Sequence, residues 1–349
     1  MAWWKGWRDE DGSSVKGTLS FDPTPDAQVL YKAMKGLGTD EQAIINVLTK
    51  RRSAQRQQIA RSFKEQFGQD LIASLKSELS GKFERLIIAL MYPPFKYDAK
   101  ELHDALKGLG TSEGVIIEIL ASRTKVQIKE IIKAYKEGMV TPQSFTVPFS
   151  EHITPASSWS SCSNLEEDIR SDTSGYFEQI LVCLLQGERD DPRCYMDSAT
   201  VLQDTQALYA AGEKIQGTDE IQFITILCTR SATHLLRVFD EYQKLASKSL
   251  EDSIQSETHG SLEDAILAIV KCTKNIHSYF AERLYHALKG AGTCDGTLIR
   301  IIVSRSEIDL NLVKAEFLKI AGKSLSTMIL EDTSGDYKTA LLNLCGSDK

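Results

Sequence analysis

The sequence has no apolar run near the ~18 residues that a membrane span requires, and its opening "MAWWKGWRDEDGSS" sets charges where a signal peptide needs its hydrophobic stretch. These absences lead to the expectation of a cytosolic chain that does not span a membrane. The seven cysteines (Cys162, Cys183, Cys194, Cys228, Cys272, Cys294, Cys345) show no CxxC spacing. Several fall in apolar helical segments, which suits small buried thiols in a reducing compartment and argues against metal binding by sulfur. Excess positive charge is also missing. A formal net charge of -7 excludes the clustered basic surface of nonspecific nucleic-acid binding. Catalytic signatures are absent too: the six histidines form no HExxH or triad pattern, and "GAGTCDG" follows a helix-like segment and lacks both the GxGxxG spacing and the lysine of a P-loop. "DEDG" near the start lacks the ligand spacing of an EF-hand. The expectation is a protein that is not an enzyme.

What is present is a repeat. Four segments align: "KGLGTDEQAIINVLTKR" (35–51), "KGLGTSEGVIIEILASR" (107–123), "IQGTDEIQFITILCTR" (215–230) and "KGAGTCDGTLIRIIVSR" (289–305). In each copy an arginine follows the threonine by twelve positions: Thr39 to Arg51, Thr111 to Arg123, Thr218 to Arg230 and Thr293 to Arg305. Both flanks of the turn carry helical periodicity. In the first copy Val29, Leu30, Ala33 and Met34 precede it, and Ile44, Val47 and Leu48 follow. "QQIARSFKEQF", "DLIASLKSEL" and "KFERLIIALM" continue the pattern, and no strand alternation competes. The reading is all-α, with four repeats of about five helices each, packed against one another because each is too short to bury much core alone. The expected boundaries are 25–92, 97–186, 200–271 and 276–347, after a tail at 1–24.

The turn has a local explanation. A helix ending before Gly36 leaves carbonyls without intrahelical partners and gathers about half a negative charge. Two glycines two apart let the backbone curl so that successive carbonyls converge. Thr39 is then expected to cap the next helix, with Asp40 and Glu41 in its first turn and Gln42 at a capping-box spacing. A glycine turn with a threonine cap is ordinarily only a connector; the downstream acids argue for more. Forty positions on, Gly38 leads to Glu78, Gly217 to Glu257 and Gly292 to Asp332. In repeat 2 the matching acid is Asp172 in "SDTSGYF", sixty-two positions after Gly110. Carbonyl oxygens plus one carboxylate make a hard-oxygen site, suited to Ca²⁺ and poor for Zn²⁺.

These motifs, over nearly all of the chain, resemble those of the annexin family. The resemblance implies a slightly curved disc of four five-helix repeats whose calcium-loaded loops dock on membrane rich in phosphatidylserine or phosphoinositide. Matched position by position, it implies the ligand sets Met34, Gly36, Gly38 and Glu78 in repeat 1, and Leu106, Gly108, Gly110 and Asp172 in repeat 2. Repeat 3 departs from the "KGxGT" wording, and its "AAGEKIQGTDE" implies Gly212, Ile215, Gly217 and Glu257. Repeat 4 implies Leu288, Gly290, Gly292 and Asp332. The family also brings endosome organisation, actin contact, and anticoagulant or phospholipase-inhibiting action by masking lipid, with reversible residence at plasma and vesicle membranes.

Residues 138–163, rich in serine, threonine and proline, interrupt repeat 2 and read as a disordered loop. Lengthening a connection this way costs on the order of 1.5 kcal/mol by chain entropy, so repeat 2 should survive, although Asp172 could be displaced. Trp3, Trp4 and Trp7 in the tail are expected to pack on the protein's own body; insertion at a membrane interface is the alternative. No amphipathic helix there points to a protein partner. The rival to a calcium switch is a calcium-independent helical scaffold, which accounts for glycine turns but not for four spaced acids.

Overall fold

The computed structural model describes residues 12–18, 20–36, 38–107, 110–137, 164–187, 197–214, 219–290 and 292–347. The insertion at 138–163 and the three tail tryptophans lie outside the described residues. Among the described residues there is no strand. Repeat 1 comprises α1 (Pro23–Ala33), α2 (Glu41–Leu48), α3 (Ser53–Phe67), α4 (Leu71–Glu78) and α5 (Gly81–Met91). Repeat 2 comprises α6 (Pro94–Lys107), α7 (Glu113–Ser122), α8 (Lys125–Lys136), α9 (Leu165–Asp172) and α10 (Gly175–Gln186). Repeat 3 runs through α11 (Ser198–Tyr209), a π-helical turn (Ala210–Lys214), α12 (Glu220–Thr229), α13 (Ala232–Ala246) and α14 (Leu250–Glu257) into α15 (Ser261–Leu288). Asn275, at φ -159° and ψ 99°, breaks α15. The part beyond it begins repeat 4, which continues with α16 (Asp295–Arg305), α17 (Leu310–Ala321), α18 (Leu325–Asp332) and α19 (Gly335–Cys345).

The apolar stripes are buried largely as their spacing demands. In α1, Ala27, Leu30 and Ala33 face inward, and in α2 so do Ile44, Val47 and Leu48. Val29 is 41% exposed, because it stands about 100° around the helix from Leu30. Of the described cysteines, Cys228 and Cys345 are buried, Cys183 and Cys272 half-buried, and Cys294 is exposed, so the expectation of buried thiols fails at Cys294.

The chain divides into two compact units: Met1–Tyr97 with His277–Lys349, and Asp98–Ile276. The first unit joins repeats 1 and 4. Glu307, in the turn after α16, accepts from the backbone N–H of Ser53 at 2.8 Å and from Nη2 of buried Arg56 at 2.7 Å. The segment before α1 straps the same two repeats. The Ser14 and Val15 N–H groups donate to the Ser306 carbonyl at 2.9 and 3.0 Å, and Gln55 Nε2 donates to the Thr18 carbonyl at 2.8 Å.

The recurrent arginine ties the first two helices of a repeat together. Arg51 pairs with Asp26, Arg123 with Asp98 and Arg230 with Asp204, each through both carboxylate oxygens. Repeat 4 solves the same problem differently. Phe280 stands twenty-five positions before Arg305, and the guanidinium lies over its ring at 4.7 Å while pairing with Asp309 downstream. Burial pushes the Asp309 carboxyl up, but Arg305 and His277, whose Nε2 is 3.0 Å from Oδ2, outweigh it and hold the pKa at about 2. A folded-state pKa below the ordinary ~3.9 stabilises the fold fully above that value and is lost as pH falls toward 2, on the order of 2 kcal/mol. Acid unfolding followed by circular dichroism is therefore expected to be flatter between about pH 4 and pH 2 in an Asp309→Asn chain than in the parent. An identical slope in the two would remove Asp309 from the acid transition.

Candidate functional site

Each repeat closes its first turn in the same way. The N–H of the residue that caps the second helix reaches back to an alanine carbonyl: Asp40 to Ala33 at 2.9 Å, Ser112 to Ala105 at 2.9 Å, Asp219 to Ala211 at 3.1 Å and Cys294 to Ala287 at 2.8 Å. The span is seven residues in repeats 1, 2 and 4 and eight in repeat 3, where the π-helical turn takes up the extra residue. Gly36 (φ 133°), Gly38 (φ 92°), Gly110 (φ 95°), Gly290 (φ 147°) and Gly292 (φ 120°) hold backbone conformations that side chains resist. A Cβ would meet nothing within 4 Å at any of them, so the demand for glycine is conformational.

The capping expectation needs correction. Asp40, not Thr39, caps α2, its carboxylate accepting from the Ala43 N–H at 2.9 Å, and Gln42 does not complete a capping box. Thr39 is occupied elsewhere: its hydroxyl donates to Glu78 Oε2 at 2.9 Å. The equivalent hydroxyls of Thr111 and Thr293 reach the backbone carbonyls of Asp172 and Asp332, both at 3.4 Å. A threonine in the turn thus meets the acid-bearing end of α4, α9 or α18, which tertiary packing decides and local propensity cannot.

Glu78, Asp172 and Asp332 are all exposed at the helix ends that Thr39, Thr111 and Thr293 meet. Among the described residues, no backbone hydrogen bond outside the helices ends on the carbonyls of Met34, Gly36 or Gly38, or on those of Leu288, Gly290 or Gly292. Main-chain oxygens without such a partner, at a turn that also receives an acid-bearing helix end, are the donor set that suits a hard cation. Leu106 is buried at the end of α6, and Gly108 lies outside the described residues. In repeat 3, Gly212 is buried in the π-helical turn, with the Phe223 ring 3.4 Å from where its Cβ would sit, while Ile215 and Gly217 lie outside the described residues. Glu257 ends α14, the helix that packs on that π-helical turn. Among the described residues no three His, Cys, Asp or Glu side chains cluster to hold a metal.

Despite the long insertion, α9 is anchored. Asp168 accepts from Lys107 Nζ at 2.8 Å and from the Tyr135 hydroxyl at 2.6 Å. Burial and then this bond push the Tyr135 phenol well above its ordinary range. Lys107 belongs to the "KGLGT" turn itself.

A model of the annexin repeat, described as "Annexin", matches residues 25–90, 97–139, 203–269 and 279–344. The chain belongs to the annexin family. It is 69% identical to annexin A8 of Bos taurus over 348 residues, covering all of both chains. A solved structure of annexin A8 superposes with a TM-score of 0.88 at 68% identity, covering 97% of this chain and 99% of that one. A calcium-bound structure of annexin (Sm)1 superposes with a TM-score of 0.80 at 32% identity, covering 96% of this chain and 93% of that one. The annexin model leaves 140–202 unmatched, a stretch that contains all but the first two residues of the insertion together with α9 and α10. Annexins are calcium- and phospholipid-binding proteins, and no helix among the described residues is long and apolar enough to cross a membrane.

Proposed function

We propose that this annexin binds anionic phospholipid surfaces, phosphatidylserine or phosphoinositide, peripherally and reversibly through calcium ions held at its glycine turns. The observation that carries the reading is the meeting of Glu78 with its turn, forty residues away in sequence, through the 2.9 Å bond from Thr39. The proposed ligand sets are Met34, Gly36 and Gly38 with Glu78, and Leu288, Gly290 and Gly292 with Asp332. Repeat 2 would use Leu106, Gly108 and Gly110 with Asp172; repeat 3 would use Gly212, Ile215 and Gly217 with Glu257. When bound, a calcium ion with one protein carboxylate keeps net positive charge and open coordination positions that a lipid phosphate oxygen can fill. The residues themselves act by convergence: open glycine geometry aims carbonyls, and threonine holds the end of the acid-bearing helix against the turn.

The net charge of -7 supports a switch, since without cations the chain is repelled by anionic lipid. Several weak sites acting on one surface multiply into avidity, which makes the response to calcium steep. A protein that covers anionic lipid would also deny it to coagulation enzymes and phospholipases, and would organise the vesicle membranes it coats. Sedimentation with phosphatidylserine vesicles tests the reading. The protein is expected to pellet with vesicles in calcium and to return to the supernatant when a chelator is added. Pelleting that ignores both additions would replace this reading with the scaffold.

A further inference from the structure

In each compact unit, a side chain four positions after the distal acid of one repeat touches the first residue of the second helix in its companion repeat. In the first unit Lys82, four after Glu78, pairs through Nζ with Asp295 Oδ2 at 2.7 Å. Asp295 opens α16, three residues after Gly292. In the second unit Ser261, four after Glu257, donates its hydroxyl to Glu113, which opens α7 three residues after Gly110. The chemistry differs, but the positions correspond. Both second helices carry glycine next, Gly114 and Gly296, where repeats 1 and 3 have Gln42 and Ile221. At Gly296 the space goes to a neighbour from repeat 1: a Cβ would come within 3.1 Å of the Arg85 guanidinium.

Electrostatics links the same two turns in the first unit. Glu78 and Asp332 line one open cleft of ≈ 440 Å³, together with Lys82, Glu41 and Asp336. Carboxylates sharing a cleft raise each other's affinity for cations and also repel one another, so neutralising one changes the field at the next within about a Debye length of 10 Å.

We propose that the turns of each compact unit act as a coupled pair, with Lys82–Asp295 in one unit and Ser261–Glu113 in the other as positioning contacts that make the loop of one repeat sense the acid of its companion. This rests on the calcium reading above and adds the regulation of those sites. None of the four residues belongs to a proposed ligand set. Because the Lys82 side chain is 60% exposed, the coupling falls below the usual range of about 5- to 150-fold, at about threefold in affinity.

The test uses the full chain without lipid, following the amide resonances of Gly36, Gly38, Gly290 and Gly292 during titration with calcium chloride. Glu78→Gln is expected to change the calcium midpoint at Gly290 and Gly292 by about threefold, although it lies in another repeat. Lys82→Met should reduce that cross-effect to the part carried through the shared cleft, Lys82→Arg should retain it in full, and Lys319→Ala, which breaks the Lys319–Glu316 pair elsewhere in the unit, should leave it intact. Coupling that Lys82→Met leaves undiminished, or that is absent from the parent, overturns the proposal while leaving the calcium sites standing. Glycine resonances in the parent that ignore calcium at both turns overturn the site assignment and the coupling together.

Discussion

Asp98→Ala is expected to cost about 3–5 kcal/mol of folding stability, more than either equivalent substitution in repeats 1 and 3. The Arg123 and Asp98 side chains are 4% and 6% exposed, and two bonds of 2.8 Å join them. Removing the carboxylate takes both of its oxygens from a guanidinium that is almost wholly buried. In repeat 1 the Arg51 side chain is 22% exposed and also donates to the Thr18 hydroxyl, so Asp26→Ala should cost less, about 1–2 kcal/mol. Urea unfolding followed by circular dichroism measures both. Replacing Asp98 with leucine and Arg123 with methionine together should recover much of the loss, because the penalty comes from a buried charge deprived of its carboxylate. A double variant as damaged as Asp98→Ala would show that the pair itself, and not its burial, carries the stability.

Glu78→Gln combined with Asp332→Asn is expected to raise the calcium concentration needed for half-maximal vesicle binding by about tenfold, with helicity unchanged. Both acids are exposed at the ends of α4 and α18, so neutralising them disturbs no core. The size follows from what remains. The carbonyls persist, but the one carboxylate of each proposed ligand set is gone, and affinity at such sites depends strongly on ligand charge. Glutamine can still accept from Thr39, which separates loss of charge from loss of the tether. An unshifted calcium midpoint in vesicle sedimentation would remove these two acids from the mechanism.

Much of the architecture was legible because its signals are local. Helical periodicity and a repeated glycine turn lead to four repeats of five helices, and the spacing of forty leads to Glu78 and Asp332 beside their turns. What periodicity misses is long-range choice. Threonine and aspartate are both good helix caps, so Thr39 or Asp40 could have served; the distal glutamate decides by claiming the threonine hydroxyl. The partners of the recurrent arginines were present as aspartates twenty-five or twenty-six positions upstream, but Phe280 breaks that pattern in repeat 4 and Asp309 replaces it from the other side. Nor does sequence order reveal that repeat 1 packs with repeat 4, since the segments concerned stand at opposite ends of the chain. At Asp172, the separation of sixty-two concealed a placement that Lys107, Tyr135 and Asp168 secure.

Pairing the first repeat with the last also sets an order of events during translation. Residues 98–276 leave the ribosome as a continuous stretch able to complete its own core, whereas residues 12–97 must wait for 277–347 before theirs can close. A nascent chain halted near Ile276 would therefore carry a finished middle and an unfinished beginning, the part on which chaperones would act.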